Sequence, residues 1–365
     1  AAAGRLGLAP GQVVVVRAEN LNAFPRDTPL AAAGSRQVAL RLTLRAILGE
    51  DQLAGLSLRA DPLSPVNLFV DRTDLCRALE LPDRVNRILL AAPAATDEAM
   101  AAALAATWRL DDVGLDLRER AGGCTLTSER IFLDLEVQRA AAALDPAAAT
   151  VLTYFVTAIG RAGCESPFAF ITGTDAAWLH GDLGDDGVVV NRWLADDLAC
   201  GPGDTLDIRY LAVGPLQALE ERRAALSVRA VVPMAMPYAD PGLMPAIPGL
   251  GDAERCTDWS PGIPIDLQRI RPQDEAYWAE WRGTPKAFVS LATAQRLWSN
   301  RFGASTAVHL PLSASAAAAR LRAHLEPSQV GLVVLPVRRE GLRAAGQAVD
   351  QFAVAIGGLL HDLVG

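Results

Sequence analysis

The sequence lacks the short motifs by which nucleotides and metals are most directly bound. It has no GxxxxGK[ST] or GxGxxG loop to cradle phosphates with backbone N–H groups, and no GxSxG corner to expose a serine nucleophile. The five cysteines (Cys76, Cys124, Cys164, Cys200, Cys256) form no CxxC pair, and the four histidines (His180, His309, His324, His361) are scattered, so zinc-site spacing is missing. An odd number of thiols argues against a complete disulfide framework, and isolated core or surface thiols are expected. Basic runs are missing as well. The formal charge is −8, the pI is near 5.1, and the positive charge is nearly all arginine, with Lys286 the lysine that stands out. No nucleic-acid partner is expected from such a balance. No stretch reaches the ~20 apolar residues that cross a bilayer. The longest candidate, near the C-terminus, gives nine apolar residues from Phe352 to Leu360 before His361 and Asp362 interrupt it. The opening AAAGRLGLAPGQ shows neither the charged segment nor the apolar core of a signal peptide.

What is present is a large apolar content. Hydrophobic residues make up 51% of 365 and charged residues 21%, enough for a packed core and for two domains or one elaborate one. Five segments recur in the same order. LGLAPGQVVVVR (6–17) resembles LACGPGDTLDIR (198–209), each a Pro-Gly turn leading into a strand. VALRLTLRAIL (38–48) resembles AALSVRAVV (224–232), both alternating as half-buried strands do. SPVNLFVDRTDL and TPKAFVSLATAQRLW each run from a short apolar strand (Leu68–Val70, Ala287–Val289) into a helix. RVNRILL (84–90) and ASTAVHL (304–310) read as strands before Ala-rich helices, with Thr96 and Ser313 as N-caps. Val-Gly-Leu then opens a returning strand within 111–120 and again within 328–340.

The expected fold class is therefore α+β: two related β-β-β-α-β-α-β units, at 6–120 and 198–340, with helices layered on a small mixed sheet. A connecting β/α segment, 121–197, holds strands at 150–160, 168–171 and 188–190 and short helices near 137–144 and 191–199, with a hairpin turn expected at Asp185-Asp186-Gly187. Within the second unit, 233–285 is rich in proline and glycine and reads as a long ordered loop without a long helix. Residues 341–365 form a C-terminal amphipathic segment that would pack on its own domain or lie against a membrane or partner.

Chemistry is weakly marked. The acidic group Asp252, Glu254, Asp258 and Asp266 is the best candidate for an acid–base or metal site, yet it lacks calcium-loop spacing, and Arg255 and Arg269 stand close enough in sequence to neutralise it. Trp259, Tyr277, Trp278 and Trp281 gather around the same loop, and Arg296 and Trp298 follow the second strand–helix corner. Together with Asp258 and Asp266 these are candidate ligand or partner contacts. No catalytic residue, metal ligand or cofactor is assigned.

The long phrases LSLRADPLSPVNLFVDRTDL, LTYFVTAIGRAGCESPFAFIT, VVNRWLADDLACGPGDTLDIRYLAVGP and GIPIDLQRIRPQDEAYWAEWRGTPKAFVSL, with RVNRILL, LSVRAVVPM and QRLWSNRFGASTAVHL, resemble the extracytoplasmic (periplasmic) domain of MacB/FtsX-like bacterial ABC-transporter permeases. The resemblance implies a porter-like layer of helices on a sheet plus a β-rich lobe, held outside the cell membrane between two transmembrane helices. It implies no enzyme activity in this domain. ATP would be hydrolysed by a cytoplasmic subunit, and its motion relayed outward to a lipoprotein, peptide or adaptor, with a homodimer as a further possibility. The readings that compete with it are a hydrolase or metal-dependent enzyme built on 252–266, and a free-standing ligand-binding module.

Overall fold

The computed structural model describes residues 2–19, 37–52, 54–58, 65–81, 84–91, 95–179, 181–213, 219–247, 249–251, 253–260 and 265–346. The chain divides into two compact units. The smaller combines 1–21, 35–104 and 333–365; the larger is formed by 22–34 and 105–332. The architecture is mixed α and β, as an α+β class requires.

In the smaller unit, helix α1 (Ala2–Leu6) precedes strands β1 (Val13–Glu19) and β2 (Gln37–Thr43), which pair antiparallel from Val13↔Thr43 to Glu19↔Gln37. Helix α2 (Arg72–Ala78) starts where Asp71 Oδ1 accepts from the N–H groups of Thr73 (2.9 Å) and Asp74 (3.1 Å). Helix α3 (Asp97–Thr107) is capped by Thr96, whose Oγ1 accepts from Ala99 N at 3.2 Å. The strands expected at 68–70 and 84–90 are not formed, and the strand expected within 328–340 is replaced by a 3-10 turn (Pro327–Val330) and by helical residues from 337 onward. The apolar side chains of these stretches remain exposed, among them Phe69, Ile88, Leu89, Leu90 and Val333. Apolar composition marks a segment able to form a strand, but a strand exists only when another backbone pairs with it.

The larger unit is built on strands. In chain order these are β3 (Leu115–Arg120), β4 (Gly123–Ser128), β5 (Ala149–Arg161), β6 (Cys164–Thr174), β7 (Gly187–Asn191), β8 (Thr205–Val213), β9 (Leu219–Val232), β10 (Ala287–Ser290) and β11 (Ala307–Leu310). Its helices are α4 (Leu135–Ala142), α5 (Arg192–Asp197), α6 (Pro272–Trp281), α7 (Leu291–Trp298) and α8 (Ala314–His324). The sheet order is β3-β4-β11-β5-β6-β10-β7-β9-β8, and a further pairing joins β8 back to β5. Six strands thereby close a ring, β5-β6-β10-β7-β9-β8. Strand β5 makes this possible through its length: one edge pairs with β6 throughout, while the other pairs with β11 at 149–151 and with β8 at 158–160. Each of the six strands is thereby paired on both sides over part of its length, β6 with β10 at 171–174, β9 with β7 at 227–232 and β8 with β5 at 207–209. It also explains the sequence of β5, whose residues Ala149 to Ile159 are all buried. A strand covered on both faces shows no apolar–polar alternation, and here apolar side chains and threonines run on without a charge until Arg161.

Two turns are legible in the backbone. The Pro-Gly turns place Gly11 and Gly203 at φ 89° and 97°, the left-handed region that glycine reaches without strain. Each glycine N–H donates to the returning chain, Gly11 to Leu44 O (2.8 Å) and Gly203 to Val228 O (2.9 Å), and the residue after each glycine accepts in return: Gln12 O from Leu44 N and Asp204 O from Val228 N, both 2.8 Å. The β5–β6 connection is a two-residue turn, Ala162-Gly163, with both residues at positive φ (51° and 87°). The expected turn at 185–187 exists, but it is not a hairpin: β7 pairs antiparallel with β10 and parallel with β9. The proline-rich segment 233–285 also contains more than loop, since α6 begins at Pro272, where a missing N–H costs nothing.

Two substitutions test this framework. Ala162 occupies a position that favours Asn or Gly, so Ala162→Asn raises stability by about 0.5–1 kcal/mol in urea unfolding. Gly173 in β6 lies beneath α7, and a Cβ there meets the Ala294 side chain and sits 3.2 Å from Ser290 O. Gly173→Val therefore lowers stability by about 1–3 kcal/mol in the same measurement.

Candidate functional site

The chain contains a single lysine, Lys286, and it is 3% exposed. It sits just before β10, and its own backbone fixes it: Lys286 N donates to Phe170 O (2.9 Å) and Asn191 N donates to Lys286 O (3.0 Å), tying it between β6 and the end of β7. Its ammonium donates to Ser166 Oγ (2.9 Å) and to Asp274 Oδ1 (3.3 Å). The remaining side is aromatic, with Nζ 4.1 Å from the centre of the Trp193 ring and 5.0 Å from that of Tyr277.

Asp274 joins a second cation. Arg271, the residue that caps α6, donates to it through Nε (2.7 Å), Nη2 (2.9 Å) and its backbone N–H (3.1 Å), and reaches Asp197 of α5 through Nη2 at 2.7 Å. Two cations and two carboxylates thus form a neutral, mostly buried quartet linking α5, α6, β6 and the start of β10. Burial pushes Lys286 down from the ordinary 10.5 to about 8, with the Asp274 charge opposing that fall. Burial alone would raise Asp274, but the hydrogen bonds from Arg271 and the Lys286 charge outweigh it and hold the carboxyl below its usual value. Burial raises the Tyr277 hydroxyl, which donates to Thr284 O (3.0 Å) and accepts from Asn191 Nδ2 (3.1 Å).

Beside the quartet a narrow pocket opens between β6 and the 253–284 segment. Its walls include Phe168, Phe170, Trp259, Ile270, Tyr277 and Trp278, with Lys286, Asp274, Arg282, Thr284 and Cys256 among the polar lining. Its space is about 370 Å³ with the open mouth included, yet the centre of a water molecule has only about 20 Å³ to move in. The loop wall is ordered by α6. Glu275 accepts from the N–H groups of Cys256 (3.1 Å) and Thr257 (3.0 Å), and Trp278 Nε1 (3.2 Å) and Arg282 Nη1 (3.1 Å) both donate to Ala253 O. Burial, then the nearby carboxylates Glu275 and Asp274, push the Cys256 thiol up to about 12, which keeps it protonated and unreactive.

Of the residues singled out from sequence, Trp259, Tyr277 and Trp278 meet at this pocket. Trp281 lies half-buried at the end of α6 and does not line it. Asp258 and Asp266 are exposed; Asp266 caps a 3-10 turn by accepting from Gln268 N (3.1 Å). Asp252 lies outside the described residues, as do His180 and residues 347–365. Arg269 does not neutralise the acidic group: it pairs with Glu165 (2.7 Å) and lies over the Phe168 ring. Among the described residues no group of three or more His, Cys, Asp or Glu is placed to hold a metal ion. Arg296 and Trp298 belong to α7, away from the pocket. Arg296 donates to Asp185 O (2.5 Å), and Trp298 is buried, stacked 5.4 Å from Tyr154. Every cysteine is a free thiol. Sequence reasoning passed over Ser166, Asn191, Trp193, Asp197, Arg271 and Asp274, and noted Lys286 without giving it a role. The available signal was a lone lysine abutting an apolar strand, where a charge must be paired to be buried. No family model matches this chain, and no curated protein matches it.

Asp274→Asn leaves the Lys286 ammonium buried without its counter-charge, and unfolding free energy is expected to fall by about 3–5 kcal/mol. The pH dependence has a fixed sign. Between about 8 and 10.5 the unfolded chain holds a proton on Lys286 that the folded chain has released, so this group's contribution to stability rises with pH across that window. Urea unfolding at pH 7.5, 9 and 10 (working values set by that window) should show wild type gaining on Lys286→Met as pH rises.

Proposed function

We propose that the chain is a non-catalytic extracytoplasmic domain of a MacB/FtsX-like ABC-transporter permease, relaying ATP-driven motion to an external substrate or partner. The observation that carries this reading is the division of the chain. A smaller unit assembled from separated stretches, 1–21 and 35–104 with 333–365, is interrupted by the β-rich unit. That is the arrangement expected of a porter-like layer bearing a β-rich lobe. A closed six-strand ring suits the lobe to moving as a rigid piece, because every strand of it is tied to a neighbour on both sides.

The part of the repeated plan that belongs to this proposal is the shorter order of a Pro-Gly turn, two antiparallel strands and two helices, since the strands expected at 68–70, 84–90 and within 328–340 are not formed. It is supported by the matching hydrogen bonds at the two Pro-Gly turns and by the paired helices α2 with α7 and α3 with α8. Within the described residues no helix is long and apolar enough to cross a membrane. The partners of such a domain are a cytoplasmic ATPase, reached through membrane helices, and a lipoprotein, peptide or adaptor outside.

The complete reading frame and its genomic neighbours test the proposal. Apolar spans of about 20 residues on both sides of this domain, beside an ATPase coding sequence, are expected. A frame with neither, or substrate turnover by the purified chain that disappears in Asp258→Ala or Asp266→Ala, overturns it.

A further inference from the structure

Beyond the relay, and independent of it, a charged clasp on the larger unit has the form of a switch. His309 stands on β11, partly buried, with Thr125 of β4 and Ala149 of β5 directly across from it. Arg120, at the end of β3, meets its ring: Nη1 bonds to His309 Nδ1, and Nη2 donates to Asp240 Oδ2 at 2.9 Å. A guanidinium can only donate, so Nδ1 must accept and the imidazole must be neutral. Asp240 uses its other oxygen to accept from Gly242 N (2.8 Å), which closes the turn Pro241–Leu243. The backbone bonds of this segment stay within it, Ala239 N to Ala235 O, Leu243 N to Asp240 O and Met244 N to Pro241 O. Among the described residues, the polar ties of 235–244 to other elements are the Arg120–Asp240 pair and the bond from Tyr238 Oη to Trp178 O (3.0 Å). What the segment covers is apolar. Leu243 packs with Val151, Val189 and Phe288 of the ring strands, and the Tyr238 ring stands edge-on to Phe288 at 5.5 Å.

We propose that His309, Arg120 and Asp240 form an acid-released latch: a proton on His309 Nδ1 sets two donors face to face, Arg120 is expelled, Asp240 loses its tie, and the segment 238–243 lifts from Phe288. Arg120 and, through it, Asp240 are the charged groups that meet His309. On the same side of β3, Asp116 and Arg118 pair with each other (2.6 Å), while Glu119 accepts from Ala314 N (2.7 Å) at the start of α8. Burial, then the Arg120 charge, hold the latched His309 down at about 3, against 6.5 for an ordinary imidazole. The released state therefore takes up a proton that the latched state refuses. Release gains up to about tenfold per pH unit as pH falls from about 6.5 toward about 3. It bares the Phe288 end of the ring, giving the protein an apolar surface in acid that is covered at neutral pH.

Hydrogen exchange of the whole chain, read by mass spectrometry at about pH 7 and about pH 5 and corrected for the intrinsic pH dependence of exchange, tests the latch. In wild type the opening equilibrium of 238–244 should rise about twentyfold on acidification, while β5 keeps its protection. His309→Asn sets an amide oxygen where Nδ1 stands but does not titrate, so its opening should be the same at both pH values. Arg120→Met removes the clasp itself and should open the segment already at about pH 7, again with β5 protected. Equal opening of the wild type at both pH values overturns the proposal, as does an acid response that survives in His309→Asn. Loss of protection in β5 as large as that in 238–244 would mean acid unfolding only, and no added opening in Arg120→Met at neutral pH would mean that the clasp holds nothing; either result overturns it too.

Discussion

The buried ammonium of Lys286 is the constraint around which the larger unit is arranged. A charge taken out of water must be met by counter-charge and hydrogen bonds, and here its surroundings come from three different elements. Ser166 is supplied by β6, Asp274 by α6, and Trp193 and Asp197 by α5. Asn191 adds a neutral clasp: its Oδ1 caps α5 through Leu194 N (2.8 Å), and its Nδ2 reaches Tyr277 and Pro285 O (3.2 Å). Apolar contacts would hold these elements together in many relative positions. The quartet with Arg271 selects one, because a shift that separates either pair leaves a charge buried alone.

That selection matters most where strands are brought together from distant parts of the sequence. Strand β10 is only four residues long, yet it sits between β6, to which it is parallel, and β7, to which it is antiparallel. Four residues offer few ladder bonds to fix a register. The residue immediately before the strand supplies what the strand lacks, since Lys286 bonds through its backbone to both neighbours and through its side chain to Ser166 on β6. Ring closure by β8 and β5 depends in turn on β10 bridging β6 and β7.

Much of this unit was legible in the sequence because its signals agree at several levels. The helix of the 287–298 corner follows a serine that caps it, Ser290 Oγ accepting from Thr293 N (3.1 Å), and Ser313 does the same for α8. The apolar and threonine composition of β5, without charge until Arg161, fits a strand buried on both faces. In the smaller unit the same reasoning found the helices but not the absence of strands at 68–70 and 84–90, because caps are local and pairing is not. Pairing also explains why β7 could not be distinguished from a hairpin arm: Asp-Asp-Gly specifies a turn, and what lies across from the next strand is decided by tertiary structure. The candidate site was half visible. Trp259, Tyr277 and Trp278 stood out as large aromatics in an otherwise flexible composition, whereas their charged neighbours looked like surface residues. Arg271 and Asp274 are spaced as a helix-start pair and would read the same on any exposed helix.

The proline-rich segment shows how such a stretch becomes ordered without regular structure. Its backbone cannot satisfy itself by a ladder, so side chains of α6 do so: Glu275 takes two N–H groups and Trp278 and Arg282 share one carbonyl. The aromatic rings then pack edge to face, Trp259 on Trp278 at 4.9 Å and on Phe155 at 6.2 Å, extending the core of β5 and β6 outward into the segment. Since α6 is itself pinned through Asp274 to Lys286, the order of the segment descends from the buried charge. The pocket is then a consequence of the same chain of restraints. Rings held at fixed angles by bonds on their far sides do not collapse onto β6, and a narrow space remains between them.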